Sequence, residues 1–100
     1  MLIVAGMLKV DPAQRDAFLQ GRKDAVVATG SEPGCLEYAF SADLVDPGKV
    51  RIFERWETKE ALARHIEALS RPAQPSGPGI EVLGRDLLQY EISASGPLGS

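Results

Sequence analysis

Between Leu2 and Ile92 the spacing of apolar residues changes from strand-like to helix-like and back, twice over. This order of periodicities constrains the fold more than any other feature of the chain. Leu2 to Val10 is a β run, apolar on both faces for most of its length. Such a strand is central in its sheet or covered on both sides. Asp11-Pro12 ends it and starts a helix. Asp can cap, and Pro at the first helical position gives up an N–H that has no partner there anyway. From there to about Ala28 the period is helical, with Phe18, Gly21, Ala25 and Ala28 on one face and Ala17 beside them. Gln14, Arg15, Arg22 and Lys23 are expected to stay in water.

Residues 29–34 form a loop in which Pro33-Gly34 suits a type II turn. Cys35 to Ala42 then alternates, Leu36, Tyr38 and Phe40 against Glu37, Ala39 and Ser41. Asp46-Pro-Gly48 is a second turn, and Val50 to Glu57 alternates again. Val50, Ile52, Glu54 and Trp56 take one side, and Arg51, Phe53, Arg55 and Glu57 the other, so the pair reads as a hairpin. Thr58 is an N-cap candidate for a helix from Lys59 to about Ser70, with Leu62, His65, Ile66 and Leu69 at helical spacing. Residues 71–79 hold three Pro and two Gly, a loop by composition and a candidate lid. A last strand is expected from about Glu81 to Ile92. Residues 93–100 have the composition of a flexible tail, and Gly96-Pro-Leu-Gly-Ser100 has the form of a protease-site remnant.

The expected fold is therefore α+β: one domain over residues 1–92, a ferredoxin-like β-α-β-β-α-β plait with a four-stranded antiparallel sheet and both helices on one face. That arrangement leaves the other sheet face bare. The first strand is apolar on both faces, and Phe53 points away from Trp56. A second copy of the same sheet is the most economical cover, so the pattern predicts a homodimer.

Composition narrows the chemistry. Eleven Lys and Arg against fourteen Asp and Glu leave a net charge of −3, without the basic excess of a nucleic-acid binder. No apolar run approaches the roughly 20 residues of a membrane span, and Leu2–Leu8 lacks the flanks of a signal peptide. One Cys (Cys35) and one His (His65) rule out a disulfide within the chain, consistent with a cytoplasmic protein, and leave no pair at zinc-ligand spacing. No phosphate-binding glycine loop is present. Asn is absent altogether.

Five residues are the candidates for a site. Trp56, the only Trp, ends a strand just before the second helix; it fills the strand–helix gap or forms a wall on which a flat ring stacks. His65 lies on the apolar stripe of that helix, as a half-buried histidine bonded to the backbone or as a general base facing a cavity. Glu54 shares the face of Trp56 and needs a partner there, for which Arg85 or Arg64 is expected. Tyr38 and Phe40 are core and pocket wall, and the Tyr38 hydroxyl can meet a ligand oxygen.

Val4-Ala-Gly6, Glu32-Pro-Gly-Cys-Leu36 with Tyr38, Phe53-Glu-Arg-Trp56, and Lys59-Glu-Ala-Leu followed by His65 together resemble the antibiotic biosynthesis monooxygenase domain, over about residues 2–92. The resemblance implies a dimeric α/β barrel, two plaits packed sheet to sheet. It also implies, among the family's activities, oxidation of quinols or polycyclic phenols by O₂ with no metal or flavin cofactor. The small aromatic substrate and O₂ are then the partners, with His65 as base, Tyr38 or Glu54 as alternatives, and Trp56, Phe40 and Tyr38 around the ring. Haem-degrading members use a first-strand Asn with a Trp and a His; here Trp56 is matched, but the strand reads Ala5-Gly6-Met7. Many members carry a His after a Pro beyond the second helix, where this chain has Arg71-Pro72-Ala73. A non-catalytic ligand-binding dimer and an isomerase or epimerase on the same fold stand as alternatives.

Overall fold

A computed structural model describes residues 1–69 and 79–99. The elements follow in the expected order: β1 (Leu2–Lys9), α1 (Arg15–Gly30), β2 (Cys35–Ala42), β3 (Lys49–Trp56), α2 (Lys59–Leu69) and β4 (Gly84–Glu91). The sheet is antiparallel with strand order β2-β3-β1-β4, which makes β1 central, as its two apolar faces require. β4 is shorter than the apolar pattern suggested because its register follows β1. Leu2 pairs with Glu91 and Lys9 with Gly84, and one further backbone bond closes each end.

Local chemistry sets the boundaries. The Asp11 carboxylate accepts from the Ala13 N–H, but Pro12–Gln14 winds as a 3₁₀ turn, and α1 starts only at Arg15. Thr58 caps α2, its hydroxyl accepting from the Ala61 N–H at 3.1 Å. In the turn before β2, Gly34 takes φ +84° and the Cys35 N–H bonds the Glu32 carbonyl at 3.1 Å, as a type II turn demands. A Cβ on Gly34 would come within 2.5 Å of the Ala61 Cβ, so this turn sits hard against α2.

Two core clusters lie between sheet and helices. Leu2, Trp56, Ala61 and Leu62 form one; Leu8, Val10, Val50 and Ile52 form the other, with Phe18, Leu19, Phe40, Ile80, Val82 and Leu87 packed on it. Three sequence expectations need correction. A β-bulge between Cys35 and Glu37 takes Leu36 out of the alternation and leaves it exposed, so Cys35 joins the inner face instead. The inner face of α1 is rotated: Ala17 and Ala28 are exposed, while Arg15 and Arg22 are half-buried. Arg15 earns its place by bonding the carbonyls of Asp43 and Asp46 in the β2–β3 turn, at 3.2 and 2.8 Å. On α2, Ala61, Leu62 and His65 are buried, whereas Ile66 and Leu69 are exposed. The proposed lid, apart from Gly79, lies outside the described residues.

The opposite sheet face is open. Phe53, Ala5 and Leu88 stand side by side across three strands, and Tyr90 flanks Ile3. Leu88 is 56% and Tyr90 47% exposed, too much apolar surface for a sheet face meant for water alone.

β1 tolerates no side chain at Gly6, where a Cβ would lie 1.9 Å from the Asp86 carbonyl oxygen on β4. The expected result for Gly6→Ala is a loss of about 1–3 kcal/mol or more, read as a lower urea midpoint, because the backbone of β4 has to move. An unchanged midpoint would mean the two strands do not pack at this distance.

Candidate functional site

A cavity of about 390 Å³ opens between the sheet and α1. Its floor comes from the inner-face positions of the strands: Tyr38 and Phe40 of β2, Ile52 and Glu54 of β3, Leu8 of β1, and Arg85 and Leu87 of β4. α1 supplies Ala17, Phe18, Gly21 and Arg22; Leu69, Ile80 and Val82 complete the wall. The lining is mostly apolar, with a few polar groups, the usual make-up of a small-molecule site.

Glu54 is the unusual member. It is 7% exposed and sits in its row between Val4 and Tyr38, neither of which can balance a charge. Its hydrogen-bond partner is the Trp56 indole, whose Nε1 donates to Oε1 at 2.9 Å, rather than the expected Arg85 or Arg64. The two side chains share a face because they are two apart on one strand. Burial pushes the Glu54 carboxyl above the ordinary carboxylate range; the indole bond and the nearby His65 ring hold it back, and the charge of Glu32 adds to the rise.

Trp56 and His65 stand behind this wall rather than among the residues that line the cavity. Trp56 is fully buried, with the His65 ring against it at a centroid distance of 4.8 Å. His65 is 3% exposed and meets the Tyr38 ring edge-on at 5.3 Å. Its Nδ1 lies 3.1 Å from Glu32 Oε2, and its Nε2 has no hydrogen-bond partner among the described residues. The order from cavity to exterior is therefore Glu54 and Tyr38, then Trp56 and His65, then Glu32.

Tyr38 also differs from a candidate base. Burial first, and the Glu54 charge next, push its hydroxyl up to about 12, against a counter-effect from Arg22. At neutral pH it is a hydrogen-bond donor and not a proton acceptor. Cys35 is a half-buried free thiol whose pKa burial raises. Among the described residues no three His, Cys, Asp or Glu side chains are grouped to hold a metal ion.

Sequence reasoning missed two residues. Arg22 packs its guanidinium 5.5 Å from the Phe40 ring centroid and lies near enough to Tyr38 to hold its pKa down. Its position four after Phe18 and three before Ala25 was the available signal. Glu32 reaches His65 across 33 residues of chain, and no local pattern marks it.

Fold and site together define a ferredoxin-like domain that holds one ionisable carboxyl in an aromatic-walled cavity. The sequence model of the antibiotic biosynthesis monooxygenase family matches residues 1–68, and the chain belongs to that family. A solved structure from Deinococcus radiodurans named for the same family is 26% identical and aligns over 100% of both chains, with a TM-score of 0.78. The haem degrader MhuD of Mycobacterium tuberculosis, solved with two haems in its active site, is 16% identical over 97% of this chain and 100% of its own, with a TM-score of 0.65. That likeness is one of fold. An uncharacterized protein of Synechocystis sp. is 32% identical over 66 residues. The alignment takes in 66% of this chain but only 45% of that relative's length. No helix among the described residues is long and apolar enough to cross a membrane.

Proposed function

We propose that the protein is a cofactor-independent monooxygenase that oxidises a small aromatic quinol or polyketide-type phenol with O₂, working as a cytoplasmic homodimer. The observation that carries this reading is Glu54: a buried carboxyl of raised pKa, on the wall of an apolar, aromatic cavity and held at one oxygen by Trp56. A base of that kind is poised to take a proton from a weakly acidic ring substrate.

The chemistry needs little else from the protein. For an anthrone-type CH₂ group, Glu54 accepts one C–H proton and leaves an electron-rich carbanion. The carbanion passes one electron to O₂, and the resulting radical pair combines at carbon. The peroxide takes the proton back from Glu54. Loss of the second C–H proton to Glu54 then breaks the O–O bond, forming C=O and releasing hydroxide, which leaves as water with that proton. One CH₂ and one O₂ become one C=O and one H₂O. The apolar lining holds the ring and excludes water, which keeps the carbanion from simple reprotonation. Glu54 rather than His65 takes the role of base, since Glu54 lines the cavity and His65 does not. His65 acts from behind, fixing the Trp56 ring that positions the carboxylate.

The homodimer rests on the open face bearing Phe53, Leu88 and Tyr90, and its check is the mass in solution of wild type beside Leu88→Glu. The function is tested by O₂ uptake with naphthohydroquinones and anthrones, using metal-free protein and a heat-denatured control. Uptake above the control with one H₂O formed per O₂ supports the oxygenase. Ligand binding without uptake moves the assignment to a binding protein, and product formation without uptake to an isomerase.

A further inference from the structure

The cavity holds more positive charge than its own carboxyl can balance. Arg22 enters from α1 above β2, and Arg85 from β4, the strand at the opposite edge of the sheet. Neither is in an ion pair among the described residues, whereas Lys9, Arg51, Arg55 and Lys59 each are. Arg22 is half-buried, and its Nε is shielded from solvent without a hydrogen-bond partner. The groups it does meet are neutral: the Phe40 face and the Tyr38 hydroxyl. A guanidinium in an apolar cavity with an unmet N–H and no counter-ion is costly unless a ligand supplies the anion.

We infer that the cavity takes a flat apolar ring bearing a carboxylate, with Arg22 as the principal counter-cation and Arg85 as a second cation at the opposite wall. A carboxylate suits a planar guanidinium fork better than a neutral oxygen does. It would also fix the ring's orientation, so that one particular carbon faces Glu54. This inference names the substrate class of the site proposed above and rests on that site being the one that binds.

The test is binding rather than turnover. Purified protein is titrated by calorimetry with 2-naphthoate and with 2-naphthamide, flat ligands of the same size that O₂ does not consume. The naphthoate is expected to bind at least about ten-fold more tightly, with a preference that falls as salt rises. Arg22→Gln should bring the two affinities together, by weakening the naphthoate far more than the naphthamide. Arg85→Gln, at an exposed position where folding is not at stake, should reduce the preference by a smaller factor. Equal affinities in wild type, a preference that survives both substitutions, or no binding of either ligand would each overturn the inference. The two proposals fail separately. Naphthoate preference with no O₂ uptake from any hydroquinone or anthrone, carboxylated ones included, sinks the oxygenase and keeps the anion site. Uptake from neutral hydroquinones with no naphthoate preference does the reverse.

Discussion

Glu54→Gln is expected to lower the rate of O₂ uptake by a factor of roughly 10² to 10⁴, the range over which a positioned general base acts. Gln keeps the size of the side chain and its carbonyl can still accept from the Trp56 indole, so the cavity should survive. In wild type the rate should rise with pH through the Glu54 pKa, which burial has moved above the ordinary carboxylate range, because only the carboxylate accepts a proton. Stability should run the other way. A carboxyl whose folded pKa lies above its unfolded value contributes stability that is complete below the unfolded pKa and is lost as pH rises through the folded one. Wild type and Glu54→Gln should therefore be closest in Tm under acid conditions. The variant should gain on wild type as pH rises from the unfolded value of about 4.5 through the raised folded value. Undiminished uptake in the variant would remove Glu54 from the chemistry. A Tm difference independent of pH would mean that burial does not perturb the carboxyl.

Trp56→Ala should have the largest effect on stability. Trp56 is fully buried, joins Leu2, Ala61 and Leu62 in one core cluster, and supports the His65 ring. Truncation of such a residue costs about 3–5 kcal/mol. For a domain of 100 residues that is a fall in Tm on the order of 15–30 °C, measurable by circular dichroism. Trp56→Phe separates packing from electrostatics. It keeps a ring but removes the N–H that lowers the Glu54 pKa, so the acid limb of the uptake profile should shift to higher pH. An unmoved limb would show that the indole only fills space.

Much of the fold was legible because its cause is local. Alternation in β3 placed Val50, Ile52, Glu54 and Trp56 on one face, and all four are buried. Pro33-Gly34 marked the turn that Gly34 makes at positive φ, and Thr58 marked the cap of α2. Legibility failed where the cause is an encounter between distant segments. The bulge between Cys35 and Glu37 took Leu36 out of the alternation with no glycine or proline within it as a signal. The inner face of α1 turned to Arg15 and Arg22 because the carbonyls of the β2–β3 turn and the ring of Phe40 were waiting for guanidinium groups. A helical period shows that such a face exists; a partner decides where around the helix it lies.

The site divides along the same line. Residue types and their spacing alone determined the plait, its open apolar face, and the set Tyr38, Phe40, Glu54, Trp56 and His65. Strand and helix periods assign side chains to faces before any contact forms. Only the tertiary structure decided which of these side chains line the cavity. It laid Glu54 and Tyr38 on the cavity wall, drew Trp56 and His65 back behind them, and brought Glu32 to His65 and Arg22 to Tyr38 from elsewhere in the chain. The physical reason is that burial and hydrogen bonding are properties of a three-dimensional neighbourhood, and a carboxyl acquires its acidity from that neighbourhood rather than from its position in the chain.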